Sequence, residues 1–451
     1  MGRLFGTDGI RGVANMELTP ELALALGRSL VILLRESDLS RPNVLVGRDP
    51  RWSGELLESA LLAGVASAGG DATAVGVLPT PGVAYLTAHC GLAAGVMISA
   101  SHNPVGDNGI KIFGGDGFKL SDGEEERVEQ LVGQADGDRP IGTGIGRIRH
   151  DPDLVAAYVE HLVAAADAEF GGLRVVLDAA NGAASHIAPV VLRRLGAELV
   201  ELHCTPDGAN INAGVGSTHP EVVAGAVRAH DADVGLAHDG DADRLVAAAA
   251  DGSEVDGDVT LAILALARKE AGTLAQNLVV TTIMTNLGFK RAMERHGIGV
   301  VETKVGDRYV LETMRERGAV LGGEQSGHII QLDEATTGDG ILTAVKLLSI
   351  IRATGTPLGE LATVMTRLPQ VLTNVGVSDR AALERADPVW EAVRHEQERL
   401  GVDGRVLVRP SGTEPVVRIM VEAPSDRMAV ESAERIAQVV RATLDSTSLL
   451  K

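Results

Sequence analysis

Three aspartates at alternate positions, Asp239, Asp241 and Asp243, follow an apolar run in the stretch ADVGLAHDGDADR, residues 232–244. Carboxylates gathered at the end of a buried strand repel one another unless a cation sits between them, and oxygen ligands suit a hard ion such as Mg²⁺. A solvated acidic turn gives no reason to place three of them there. An EF-hand loop would need Gly where Arg244 stands and Glu where Ala250 stands. Phosphatases that use the first Asp after a strand as nucleophile place Thr or Val where Asp243 falls. The stretch reads as a metal site.

A second apolar run, residues 95–98, breaks into Ser-Ala-Ser-His-Asn-Pro at 99–104, and Lys111 returns between apolar neighbours. Serine is a weak nucleophile until a basic group activates it, and a phosphorylated serine beside a metal is a good phosphoryl donor. Ser101 is the candidate carrier and Ser99 competes with it. His102 is a second candidate base, although neighbours in extended chain usually point apart. Arg409-Pro-Ser411-Gly412-Thr413-Glu-Pro415, with Arg418 beyond it, offers cations, hydroxyls and glycine backbone to a phosphate. Gly323-Glu324-Gln325-Ser326-Gly327-His328 offers donors and acceptors to sugar hydroxyls. Together these loops are an inventory for phosphoryl transfer to and from a sugar phosphate.

The elements that must position these loops repeat. Strand-like runs fall at 43–49, 71–77 and 93–99, again at 173–182, 197–203 and 232–244, and again at 277–286, 298–308 and 318–328. A helical pattern follows the first run of each set, at 53–68, 183–195 and 287–296. Near-continuous Val, Ile, Leu and Ala strands alternating with helices predict three topologically similar α/β domains with mostly parallel mixed sheets. The third run of every set ends in one of the polar loops, where open α/β sheets bind ligands. Residues 404–424, two alternating strands around the Arg409 loop, precede a helical tail and predict a C-terminal α+β domain. The expected boundaries are 1–147, 148–254, 255–366 and 367–451, four domains around one central cleft. Gly-rich residues 133–146 read as surface loop.

The bulk composition agrees with a soluble enzyme. The chain's 451 residues are too many for one core, and 2% aromatics leave little for stacking nucleic-acid bases. A formal net charge of −20 argues against nucleic-acid or membrane partners. Cys90 and Cys204 stand apart, with no CxxC, as expected of ordinary thiols in a reducing compartment. The longest apolar stretch, LALALGRSLVILL, is broken by Gly27-Arg28-Ser29 and preceded by the cap signal Thr19-Pro20-Glu21, so it predicts a core helix. A cytoplasmic location is expected.

The four motif loops, in this order and across nearly the whole chain, resemble the four-domain phosphohexose mutases of the α-D-phosphohexomutase superfamily. FGTDGIRG at 5–12, the SASHNP loop and GGEQSGH are similar to the bacterial phosphoglucosamine mutase subgroup. The resemblance implies that Ser101 is the phosphoserine and that Asp239, Asp241, Asp243 and a phosphoserine oxygen hold one Mg²⁺ per chain. It implies Lys111 as general base, with Arg11, His102, Arg244 and His328 in support. Glu324 and Ser326 would contact the sugar, and Arg409, Ser411, Gly412, Thr413 and Arg418 would grip its distant phosphate. The implied reaction interconverts glucosamine 6-phosphate and glucosamine 1-phosphate, with glucosamine or glucose 1,6-bisphosphate as intermediate and activator. Preference for glucose or mannose phosphates is the rival expectation. TTIMTNLG at 281–288 lacks a Lys that some dual-specificity relatives carry there. A homodimer is a further implication, as is a kinase or autophosphorylation to load Ser101.

Overall fold

The computed structural model describes residues 4–6, 8–37, 39–133, 139–411 and 415–444. The apolar runs become strands of three mixed sheets, buried at the centre and partly exposed at Glu198–Leu202 and Gly299–Thr303. The first contains β1 (Ile10–Val13), β2 (Asn43–Arg48), β3 (Asp71–Val77), β4 (Ala94–Ile98), β5 (Asp107–Gly114) and β6 (Ile148–His150), in the order β1-β5-β4-β2-β3-β6. The second contains β7 (Arg174–Asp178), β8 (Glu198–Leu202), β9 (Val234–Ala237), β10 (Val246–Ala249) and β11 (Glu254–Val255), in the order β11-β10-β9-β7-β8. The third contains β12 (Leu278–Thr282), β13 (Gly299–Thr303), β14 (Leu321–Gly323) and β15 (Ile329–Gln331), in the order β13-β12-β14-β15.

One topology is used three times. Each sheet contains three parallel strands and an antiparallel return on the third, β5 against β4, β10 against β9 and β15 against β14. The first sheet adds parallel β6 and antiparallel β1 at its edges, and the second adds antiparallel β11. Three of the polar loops picked out above, those carrying Ser101, the three aspartates and Glu324, connect a third parallel strand to its return strand. Lys111 comes back on such a return strand, opposite Met97 of β4.

Local chemistry explains the helices. Helix Pro20–Glu36 begins at Thr19, whose hydroxyl accepts from Leu22 N, a cap of about 1 kcal/mol. It buries Ala23, Leu26 and Leu30 against helix Trp52–Ser67. Gly27 and Gly64 allow the approach, since a Cβ would stand 2.4 Å from Leu61 O at the first and 2.2 Å from Leu24 O at the second. Among the described residues, no single helix is long and apolar enough to cross a membrane.

The chain packs as two compact units, Met1–Met284 with Gly297–Val364, and Thr285–His296 with Met365–Lys451. The first holds the three sheets. The second is built on β16 (Gln370–Gly376), β17 (Arg405–Pro410) and β18 (Val416–Glu422), antiparallel in the order β16-β18-β17. Alternate β18 residues Val417, Ile419 and Val421 face a core shared with helices Asp387–Leu400 and Asp426–Leu444. The strand β16 and helix Asp387–Leu400 add to the hairpin and tail read from the sequence. Helix Leu287–Arg295 also belongs to this unit. Leu287 N donates to Glu422 Oε2 at 3.0 Å, and Asn286 exchanges two hydrogen bonds with the Leu368 backbone.

Candidate active site

The loop after β9 carries Asp239, Asp241 and Asp243, all buried, with ligand oxygens within 4.8 Å of one another. Backbone contacts fix it from several directions: Ala183 N donates to Gly240 O at 2.8 Å and Gly340 N to Ala242 O at 3.0 Å. Thr80, at the start of helix Thr80–His89, donates through N to Asp241 O and through Oγ1 to Asp241 Oδ2, at 3.0 and 2.6 Å. One oxygen of each aspartate, Oδ1, is buried without a hydrogen-bond partner. Burial, followed by Asp243 and Asp241, pushes the Asp239 carboxyl well above the usual carboxylate range. Orphaned oxygens and mutual repulsion are what a divalent cation with oxygen ligands would relieve, so this donor set fits Mg²⁺.

The loop after β4 brings Ser101 to this triad. Ser101 Oγ donates to Asp239 Oδ2 at 2.6 Å and lies 3.3 Å from His102 Nδ1. The backbone at Ser101 is left-handed, φ 53°, a conformation that costs a non-glycine residue about 1 kcal/mol or more. Arg51 and Asn212 hold it there by donating to Ser101 O at 3.0 and 2.9 Å. Ser99 is spent elsewhere: it is fully buried and donates to Asp49 Oδ2 at 2.5 Å, while its oxygen accepts from Ser101 N. That settles which serine faces the triad. Burial, then Arg244 and Arg11, push His102 down to about 4, so its imidazole is neutral near pH 7.

Lys111 is buried within reach of three carboxylates, 3.0 Å from Asp241 Oδ2, 3.1 Å from Asp8 Oδ2 and 3.4 Å from Asp243 Oδ2. Burial disfavours its charge, but Asp241, Asp8 and Asp243 outweigh burial and hold the ammonium well above the usual lysine range. Burial also raises Asp243, and Lys111, His328 and Arg244 overcome it and hold this carboxylate far below normal. Arg244 Nε stands 3.9 Å from Asp239 and 3.8 Å from Asp243. A cavity of about 470 Å³ opens beside these groups, lined by Arg11, His102, Asp243, Arg244, Glu324 and His328 among others. It places cations and hydrogen-bonding groups where a phosphorylated polyol would lie.

The structure separates the remaining candidates. Glu324 accepts from Gly306 N at 3.1 Å and lines the cavity, whereas Ser326 is exposed at the loop tip and is not part of the lining. Gln325 turns back towards Asp256 Oδ2, 3.5 Å away. In the second unit Arg409 and Arg418 lie directly opposite each other on β17 and β18. Like charges so paired destabilise a hairpin on their own and favour a bound anion. Burial and then Arg418 lower the Arg409 guanidinium from its usual range. Ser411 N closes the hairpin on Val416 O, and Arg380 donates to Ser411 O at 2.8 Å. Gly412 and Thr413 lie outside the described residues.

Several contributors escaped the sequence reading. Asp8 and Asp307 line the cavity, and Thr80, Asp49, Arg51 and Asn212 hold the loops. Asp8 lies within the FGTDGIRG motif and Asp307 stands next to last in the third set's second run, so their positions gave some signal. Thr80 and Asn212 gave none.

One buried carboxylate near the site yields a test of the electrostatics. Asp339 caps helix Gly340–Thr354 by accepting from Leu342 N at 2.9 Å, and its other oxygen accepts from Tyr158 Oη at 2.8 Å. Burial raises it to about 6 against these donors. Between about pH 4 and pH 6 the folded chain therefore holds a proton that the unfolded chain has released, so this group's contribution to stability falls as pH rises through that window. Asp339→Asn keeps a capping oxygen without the charge. Its melting midpoint relative to the parent should be higher at pH 7 than at pH 4, by the equivalent of about 3 kcal/mol at most. An equal difference at both pH values would remove the assignment.

Four family models match the chain in order. They are described as phosphoglucomutase/phosphomannomutase, alpha/beta/alpha domain I over residues 2–138, domain II over 156–252, domain III over 256–368, and the C-terminal domain over 372–439. A phosphoglucosamine mutase of Saccharopolyspora erythraea is 55% identical, covering 98% of this chain and 100% of the relative. One from Frankia alni is 54% identical, covering 98% and 99%. Among solved structures, a phosphoglucomutase/phosphomannomutase family protein from Burkholderia thailandensis matches with a TM-score of 0.83 at 27% identity, covering 98% of this chain and 97% of that one.

Proposed function

The chain belongs to the phosphoglucomutase/phosphomannomutase family, and from that premise we propose that it interconverts glucosamine 6-phosphate and glucosamine 1-phosphate through phosphorylated Ser101. The observation that carries the chemistry is the Ser101 hydroxyl 2.6 Å from an aspartate of the buried triad. The relatives named phosphoglucosamine mutase, 54–55% identical over nearly the whole chain, support the choice of sugar.

In the first half-reaction O1 of glucosamine 6-phosphate attacks phosphorus, the bond to Ser101 Oγ breaks, and one proton passes from O1 to Oγ. The product is the 1,6-bisphosphate. After the intermediate turns round, Ser101 Oγ attacks the phosphorus on O6, and the proton passes from Oγ to O6. The cycle balances with one proton moved out and back. His102 Nδ1, neutral and 3.3 Å from Oγ, is within reach to exchange that proton. Lys111, expected from the resemblance to be the general base, is held as an ammonium by Asp241, Asp8 and Asp243, and we assign it instead the protonation of a leaving oxygen. Mg²⁺ on Asp239, Asp241 and Asp243 would supply charge neutralisation of the transferring group. Arg11 and Arg244 face the cavity with the charge to orient a phosphorylated sugar, and the His328 ring lines it beside them. Arg409, Ser411 and Arg418 supply the grip for the non-reacting phosphate. The first phosphate on Ser101 comes from a kinase, from autophosphorylation or from a hexose 1,6-bisphosphate.

The test is kcat/KM of Ser101-phosphorylated, Mg²⁺-supplied protein on glucosamine, glucose and mannose phosphates. A preference for the amino sugar above about tenfold, or about 1.4 kcal/mol, is expected. Equal or better rates on glucose or mannose phosphates would keep the mechanism and replace the substrate.

A further inference from the structure

Six side chains beside the cavity close into a ring in which Lys111, Lys119 and His328 alternate with Asp8, Asp307 and Asp243. Lys111 Nζ lies 3.1 Å from Asp8 Oδ2, and Asp8 Oδ1 lies 2.5 Å from Lys119 Nζ. Lys119 Nζ lies 2.5 Å from Asp307 Oδ2, which is 3.7 Å from His328 Nε2, a nitrogen that accepts from Gly338 N at 3.2 Å. His328 Nδ1 lies 3.6 Å from Asp243 Oδ1, and Asp243 Oδ2 returns to Lys111 at 3.4 Å. The ring draws on loops beside all three sheets. Five of its members line the cavity or contact the triad. Lys119 does neither. Its side chain is 10% exposed and spans two carboxylates from different domains, on the far side of the ring from the triad.

We propose that Lys119 is a positioning residue for the mutase reaction, fixing Lys111 through Asp8 and anchored on its other side by Asp307. Without its ammonium, Asp8 and Asp307 would face each other as carboxylates. Asp8 would then draw Lys111 away from Asp241 and Asp243. The chain has separate fastenings between the same two segments that leave the ring untouched. Arg308 bonds Glu125 and Asp122, Thr336 Oγ1 donates to Gly117 O at 2.6 Å, and the Arg315 guanidinium lies 4.5 Å from the Phe118 ring centre. Simple attachment of the segments therefore does not require a buried lysine between two acids.

The inference rests on the mutase reading, so wild-type turnover of glucosamine phosphate is measured in the same assay. Absent wild-type turnover would sink the reading itself. With full-length, Ser101-phosphorylated protein and Mg²⁺, Lys119→Met should lower kcat on the order of 100-fold while KM stays within about threefold. Lys119→Arg should recover at least about tenfold of that loss. Glu125→Gln, which weakens a neighbouring fastening, should lower the melting midpoint and leave kcat within about twofold. An active wild type with Lys119→Met unchanged in kcat overturns the inference alone, as does a Glu125→Gln loss equal to that of Lys119→Met. Should Lys119→Met fail to fold, Asp307→Asn opens the ring at the next link. A kcat loss of about tenfold or more with KM held supports the role, and an unchanged kcat overturns it.

Discussion

Ser101→Ala is expected to lower turnover of glucosamine phosphates by about 10⁴-fold or more, equivalent to about 5.5 kcal/mol, with the fold intact. The magnitude follows from the absence of a substitute among the described neighbours. Ser99, two residues away, is fully buried and its hydroxyl is committed to Asp49, itself locked to Arg51 at 2.9 Å. Moving phosphate to Ser99 would require breaking that pair. The fold survives because the left-handed turn is imposed by Arg51 and Asn212 on the Ser101 carbonyl, which alanine retains. The two lost hydrogen bonds, to Asp239 and to His102 Nδ1, are worth about 1 kcal/mol each. A melting midpoint near that of the parent, unchanged affinity for the 1,6-bisphosphate within a few-fold, and no phosphopeptide from the 99–104 loop complete the expected result. Turnover within tenfold of the parent, with phosphate found on Ser99, would move the carrier to the other serine.

The choice between these serines shows where sequence reading stops. Strand content and period made the threefold architecture legible, because near-continuous Val, Ile and Leu runs have few other uses in a large chain. The polar loops stood out because they interrupt such runs. The motif alone, however, presents Ser99 and Ser101 alike; Asp49, fifty residues earlier, decides between them, and no local pattern announces that pairing. The same holds for Thr80 with Asp241 and for Lys119 with Asp8 and Asp307, partners brought together only by the packing of separate sheets. Ser326 shows the opposite case. It lies inside a legible motif, yet it is exposed at the loop tip and outside the cavity lining.

Asp239→Asn carries the second large effect and separates function from stability. Two kinds of buried carboxylate stand close together in this domain. Asp178 accepts from Ala180 N and Gly216 N at 2.9 and 3.0 Å and faces His203, so its charge is met by donors. Asp239 has one serine hydroxyl, an orphaned Oδ1, and two like charges that raise it further after burial has done so. Removing the Asp239 charge should therefore leave the metal-free protein as stable as the parent or more so, by about 1 kcal/mol. Asp178→Asn should cost about 2 kcal/mol with or without metal. Activity should fall by about 10³-fold or more in Asp239→Asn, because the cation loses a charged ligand and the transferring phosphate loses its counter-charge. The rise in melting midpoint that Mg²⁺ gives the parent should disappear with it. A variant that kept the Mg²⁺-dependent rise but lost a phosphate trapped on Asp239 would instead mark that aspartate as the nucleophile. Loss of the metal response together with activity, while the metal-free protein gains stability, would identify the triad as held under electrostatic strain for its cation.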